Sequence, residues 1–145
     1  MEEIVSRGIR NSNPGNIRQS STRFKGEVRP SQDSAFKQFS SMVWGYRAIF
    51  VILNTYATKH RLRTIREMIS RWAPPVENHT NIYIDTVSQL ASLDADTPID
   101  TLQREVMLPL VAAMSQVENG TKADYTSLER GFDLYIVDIE ERNAL

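Results

Sequence analysis

Residues 42–57 have the sequence MVWGYRAIFVILNTYA, and this stretch decides the fold. Its apolar side chains recur at the spacing of one face of an α-helix. The stripe consists of Tyr46, Ile49, Phe50, Leu53, Tyr56 and Ala57. An apolar stripe of this length predicts the central helix of a helical core, against which the rest of the chain packs.

Helix start and stop signals follow this stretch along the chain. Thr64 and Glu67 have the spacing of a capping box, which predicts a short helix that ends before Pro74. A further helix is predicted to begin at Asn78 or Thr80, because both side chains can cap a helix N-terminus.

Two more helices are predicted in the last third of the chain. Pro98 at a first helical position indicates a helix that runs to Gly120, with Pro109 kinking or dividing it. Thr126 and Glu129 have capping-box spacing and predict the start of a last helix.

The first part of the chain differs in character from the rest. Residues 8–41 are rich in Asn, Ser, Gly, Pro and Arg, which predicts loops and one or two short hairpin strands. Pro14 and Gly15 indicate a turn, with glycine supplying a positive φ. We therefore expect one mainly α domain over residues 1–145. It has a loop or hairpin lobe at 1–41 and five or six helices at 42–145.

Composition excludes several classes of function. The 145 residues include 17 Lys and Arg and 18 Asp and Glu, so the net charge of −1 gives no overall attraction to nucleic acid or anionic membranes. There is no cysteine, and His60 and His79 show no metal-ligand spacing. We expect no metal ion, no cofactor and no nucleic-acid partner.

The sequence also carries no targeting signal that we recognise. Its first residues are acidic where a signal peptide is basic, and its longest apolar run, residues 49–53, is too short to span a bilayer. We expect a protein made in the cytoplasm without a signal peptide and not bound to membranes.

Two long motifs resemble one family of phage and prophage proteins. They are GIRNSNPGNIR at residues 8–18 and RWAPPVENHT at residues 71–80, and shorter matches at 24–26 and 45–48 extend the similarity over nearly the whole chain. Members of that family are described as virion structural or lysozyme-like proteins. The resemblance implies a phage or prophage origin and a mainly α fold of the α+β lysozyme-like kind. It also implies that other proteins carry the chain to a virion or to the cell wall.

A second resemblance concerns mechanism. Residues 110–120, LVAAMSQVENG, are similar to the helix of goose-type lysozymes and lytic transglycosylases that presents the catalytic glutamate. Residues 11–18 are similar to the loop that follows that glutamate in flagellar-type glucosaminidases. Here the loop precedes the helix, so the resemblance implies a circular permutation of the lysozyme fold, with Glu118 in the catalytic position.

Glu118 suits the chemistry of glycoside cleavage. The reaction needs an acid that protonates the leaving oxygen, and a carboxyl group in an apolar cleft can hold a proton near neutral pH. The alternative is that Glu118 is a solvated residue at a helix end, with Asn119 and Gly120 as its C-cap. Glu77 is the second candidate, as acid or second carboxylate, and its alternative is an electrostatic role near the start of the next helix.

Amide, guanidinium, hydroxyl and aromatic side chains are those that bind sugars. The candidate substrate-binding residues are Asn13, Asn16, Arg18, Asn78, Thr80 and Tyr83. Trp72 is a weaker candidate because it falls on the apolar stripe of its helix, which favours the core.

Two functions remain open from the sequence. The first is a phage-type muramidase or lytic transglycosylase that binds peptidoglycan glycan strands and cuts them with Glu118 as general acid. The second is a non-catalytic virion structural or wall-binding protein on the same scaffold, with other virion proteins as partners. A buried Glu118 in a groove with Asn13, Asn16 and Glu77 would favour the enzyme.

Overall fold

The computed structural model describes residues 5–75 and 79–143. Within these ranges the chain forms six helices and one two-stranded antiparallel sheet, which confirms the prediction of a mainly α fold. In chain order the elements are α1 (Arg7–Arg10), β1 (Glu27–Val28), β2 (Gln38–Phe39), α2 (Met42–Thr58), α3 (Ile65–Trp72), α4 (Thr80–Ala91), α5 (Arg104–Asn119) and α6 (Tyr125–Asn143). No helix in the described ranges is long and apolar enough to cross a membrane.

The apolar stripe of α2 forms the centre of the core, as its periodicity predicts. Ile49, Phe50 and Leu53 are fully buried. The Phe50 ring lies 5.2 Å from that of Phe132 and 5.7 Å from that of Tyr135, both on α6. These contacts make α6 the main partner of α2, and α4 and α5 complete the core.

Gly45 is where α2 contacts the N-terminal lobe most closely. A Cβ atom at this position would overlap the carbonyl oxygen of Ser12 and would lie 2.5 Å from Cδ of Pro14. Both neighbours belong to a loop whose backbone would have to move to make room. The glycine therefore provides space for the loop to rest on the helix.

We expect Gly45→Ala to destabilise the protein, although the same change in an exposed helix interior stabilises it by about 1 kcal/mol. Overpacking against backbone costs about 1–3 kcal/mol, which exceeds the gain in helix propensity. Thermal unfolding measures the change, with the exposed α4 substitution Gln89→Ala as the neutral control. An increase in melting temperature for Gly45→Ala would contradict this account.

The N-terminal lobe is built from short elements. The predicted hairpin strands are β1 and β2, with Glu27 paired to Phe39. Helix α1 was not predicted from the sequence. It is a single turn, and the Ser6 hydroxyl caps it by accepting a hydrogen bond from the Ile9 N–H at 3.2 Å. Asp33 caps a turn in this lobe, since its carboxylate accepts hydrogen bonds from two backbone N–H groups and from Arg7.

One predicted helix start was wrong by several residues. The helix expected to begin at Pro98 begins at Arg104. The chain before it is held by a tertiary contact, because the Ile99 N–H donates to the carbonyl oxygen of Arg63 at 2.8 Å. Pro109 lies inside α5 and does not divide it.

The capping box predicted for the last helix was also wrong. α6 begins at Tyr125, so Thr126 and Glu129 lie inside it. The carboxylate of Asp124 takes the capping role and accepts hydrogen bonds from the N–H and the hydroxyl of Ser127 at 3.5 and 2.8 Å. Asp is as good a cap as Thr, and the residue in register with the helix start takes the role.

Candidate functional site

A cleft of about 430 Å³ opens between the loop after α1, helices α2 and α3, and the C-terminal end of α5. Its lining combines sugar-binding types of side chain with one carboxylate among the described residues. The polar and aromatic side chains of the lining include Asn16, Arg18, Tyr56, Arg71, Trp72 and Glu118.

Glu118 is held in the cleft by donors from three separate elements. Its Oε1 accepts a hydrogen bond from Nδ2 of Asn16 at 3.0 Å. Its Oε2 accepts one from the Tyr83 hydroxyl at 2.8 Å and a longer one from Nε1 of Trp72 at 3.4 Å. The carboxyl group is therefore fixed in position, and Glu118 is not the solvated helix-end residue of the alternative interpretation.

Asn119 joins the end of α5 to the N-terminal loop. Its Nδ2 donates to the carbonyl oxygen of Pro14 at 2.8 Å, and its Oδ1 accepts a hydrogen bond from the Ser6 hydroxyl at 2.7 Å. Gly120 ends the helix with a left-handed φ of 72°, and its N–H donates to the carbonyl oxygen of Gln116. Asn119 is therefore a tertiary clamp that brings the loop up to Glu118, and Gly120 is the C-cap residue.

The loop itself is organised around Asn13. This side chain is fully buried, donates through Nδ2 to the carbonyl oxygens of Ile17 and Lys37, and accepts the Ile17 N–H at 2.9 Å. The turn predicted at Pro14 is present, since the Asn16 N–H donates to the carbonyl oxygen of Asn13. Asn13 shapes the turn and does not line the cleft.

The positive φ expected at Gly15 occurs at Asn16 instead, with a value of 48°. Gly15 serves a different purpose, because a Cβ there would lie 2.8 Å from Cζ2 of Trp72. Asn16 also has a buried Oδ1 that accepts no hydrogen bond within the described residues. A left-handed backbone and an unsatisfied carbonyl each cost free energy, so this residue is placed for its Nδ2 contact with Glu118.

Tyr83 provides a permanent donor to Glu118. Burial in the first place, and the negative charge of Glu118 in the second, raise the pKa of the Tyr83 hydroxyl well above its usual value. The hydroxyl therefore keeps its proton, and its role is to hold the carboxylate. Tyr83 was predicted from the sequence to contact the substrate. In the structure the Tyr83 hydroxyl donates a hydrogen bond to Glu118.

We expect Tyr83→Phe to lower any activity that depends on Glu118 about tenfold while leaving the fold intact. The ring still fills its buried position, but Oε2 loses its shortest donor. Because the lost donor positions the carboxyl group and is not itself a binding contact, kcat should fall while KM changes by less than about twofold. Tyr125→Phe, at a half-exposed tyrosine, is the matched control. An unchanged kcat would contradict the positioning role.

The remaining predicted residues fall in different places. Glu77 and Asn78 lie outside the described residues. Thr80 is buried as the first residue of α4, and its hydroxyl donates to the carbonyl oxygen of Ala73, beneath the cleft wall. Arg18 lines the cleft, with its guanidinium 5.3 Å from the centre of the Phe36 ring.

Three residues that line the cleft were not singled out for binding from the sequence, or were favoured for the core. Trp72 is half-buried and packs on the core, but its ring also lines the cleft and its N–H reaches Glu118. Tyr56 belongs to the apolar stripe of α2, and the guanidinium of Arg71 lies 5.4 Å from its ring centre. The signal for Arg71 was its position next to Trp72 at the end of a helix.

The comparison with known proteins finds a phage protein that is similar to this chain. The chain is 36% identical over 133 residues to Protein P5 of Pseudoalteromonas phage PM2, and the match spans 89% of this chain and 81% of that protein. The chain matches no protein-family model.

Proposed function

The chain belongs to the same family as Protein P5 of Pseudoalteromonas phage PM2, and on that premise we propose that it is a phage enzyme that cuts the glycan strands of peptidoglycan. Glu118 acts as the general acid of a muramidase or lytic transglycosylase. A phage must pass the bacterial cell wall on entry and again on release, so such an activity has a place in its life cycle.

The observation that carries the proposal is the position of Glu118. Among the described lining residues it is the one carboxylate of an aromatic and polar cleft, and it is held by side chains from the N-terminal loop, α3 and α4. Three polar groups from separate elements thus converge on one carboxyl group. Such convergence is typical of a reacting group and has no purpose for a solvated surface residue.

We assign the transferable proton to Oε1. Among the described residues, Oε2 accepts two hydrogen bonds, which occupy both of its lone-pair positions, whereas Oε1 accepts one, from the Asn16 side chain. A proton on Oε1 can be donated to the glycosidic oxygen as the bond from that oxygen to the anomeric carbon breaks.

Completing the reaction does not require a second protein carboxylate. The described lining of the cleft contains no other Asp or Glu. The 6-hydroxyl of the same sugar can attack the anomeric carbon and return its proton to Glu118, which forms a 1,6-anhydro ring and restores the acid. The lytic transglycosylase reaction is thus the form of cleavage that this donor set supports best.

Incubation of the purified protein with purified peptidoglycan tests the proposal, with soluble muropeptides identified by mass spectrometry. We expect release of products that are 18 Da lighter than the hydrolysis products, as 1,6-anhydro ends require. Products of ordinary hydrolysis would still support Glu118 as the general acid, but they would show that water attacks the anomeric carbon in place of the 6-hydroxyl. No release from walls of several chemotypes across pH 5–8, by protein that is folded, would overturn the enzyme proposal.

A second candidate function is wall binding without turnover. The cleft offers aromatic faces and guanidinium groups for a glycan whether or not Glu118 reacts. Sedimentation of the protein with insoluble peptidoglycan, without release of fragments, would favour this virion-associated role.

A further inference from the structure

The cleft carries two guanidinium groups that the acid chemistry does not use. Arg71 on α3 lies over the ring of Tyr56, and Arg18 in the N-terminal loop lies over the ring of Phe36. All four side chains line the same cleft as Glu118. Both arginines are exposed at the surface, whereas Glu118 is half-buried.

The described lining of this cleft has a charge opposite in sign to that of the chain. The chain as a whole has a net charge of −1, but the described lining combines two arginines with one carboxylate. Guanidinium groups bind carboxylates through two parallel hydrogen bonds, and aromatic support reduces the conformational freedom lost on binding. The rim of the cleft therefore has the chemistry of a carboxylate-binding subsite.

We propose that Arg71, seated on Tyr56, is the centre of a subsite that binds a carboxylate of the glycan strand and so selects strands with acidic sugars over neutral ones. Arg18 on Phe36 provides a second positive charge in the same cleft. The inference rests on the proposed function for its ligand, since peptidoglycan carries a lactyl carboxylate on alternate sugars where it is not extended by peptide.

Binding of a small probe tests the subsite separately from cleavage. The probe is the disaccharide of N-acetylglucosamine joined to N-acetylmuramic acid, which lacks the bond that a muramidase cuts, and its methyl ester is the neutral control. We expect the free acid to bind about tenfold more tightly than the ester in isothermal titration at low salt. The ratio should fall as salt is added.

Substitution identifies the residue responsible. Arg71→Met keeps an apolar stem on Tyr56 and removes the charge, so the ratio of acid to ester affinity should approach one while the ester affinity is retained. Arg66→Met on the same helix removes an exposed arginine that pairs with Asp96 and should keep the ratio. Equal binding of acid and ester by the wild type would overturn the subsite. So would a ratio that survives Arg71→Met, or no binding of either probe.

The two proposals fail in different ways. A tenfold acid preference in a protein that releases no muropeptides would overturn the enzyme and support the subsite. Muropeptide release by a protein with no acid preference would support the enzyme and overturn the subsite.

Discussion

Replacing Glu118 with Gln is expected to reduce the rate of muropeptide release about a thousand-fold, because an amide cannot donate the proton that the leaving oxygen needs. The change in stability should stay below about 1 kcal/mol. The amide oxygen can take the place of Oε2 opposite Tyr83 and Trp72. Rotation of the Asn16 amide can then present its Oδ1, which has no hydrogen bond among the described residues, to the new NH₂ group.

The matched control for this substitution is Glu105→Gln. Glu105 is an exposed glutamate in the first turn of the same helix, so the change in charge and in chemistry is identical but lies at the other end of α5. We expect full activity and a loss of a few tenths of a kcal/mol from the weaker helix-dipole interaction. Activity retained by Glu118→Gln, or lost equally by both variants, would remove Glu118 from the catalytic role.

Helical periodicity was sufficient to predict the core of this fold. The stripe on α2 needs no tertiary information, because its apolar spacing alone determines which face is buried. The start of α5 could not be predicted in the same way. Pro98 is compatible with a helix start, but the contact between Ile99 and Arg63 is made by residues far apart in the sequence and overrides the local signal.

The candidate site shows the same division between local and tertiary information. Glu118 and Asn16 were selected for their residue types and motifs, and the structure brings them to 3.0 Å. The clamp formed by Asn119 and the cleft position of Arg71 were not predictable, because both depend on how the loop and α3 meet the end of α5. Sequence patterns report the secondary structure a residue belongs to, whereas contacts across 100 residues of chain require the packed fold.

A second large effect is expected from Lys37→Met, which should lower the free energy of unfolding by about 3 kcal/mol. Lys37 has a side chain only 1% exposed, and its Nζ lies 3.1 Å from Oε1 of Glu27, whose side chain is 4% exposed. The same ammonium group donates to the carbonyl oxygens of Thr22 and Ser20 at 2.7 and 3.3 Å. Methionine fills the space but leaves the buried Glu27 carboxylate without this donor, with Arg29 as its remaining ionic partner among the described residues.

The double variant Glu27→Gln with Lys37→Met isolates the ion pair from simple loss of packing. If the cost comes from a buried carboxylate that keeps Arg29 but has lost Lys37, the double variant should be more stable than Lys37→Met alone. Lys122→Met, at an exposed lysine, should change stability by less than about 0.5 kcal/mol. A double variant as unstable as the sum of the single changes would assign the effect to packing.

Acid provides an independent test of the same ion pair. Burial alone would raise the pKa of Glu27, but hydrogen bonds from Arg29, the Phe24 N–H and Lys37 outweigh it and lower that pKa below 4.5. A carboxyl group with a lowered pKa in the folded state stabilises the protein above its unfolded pKa and loses that contribution as the pH falls. Unfolding free energy should therefore decrease below about pH 4.5 in the wild type and decrease less steeply in Lys37→Met, because that variant has already lost one of the donors that make the charged form favourable.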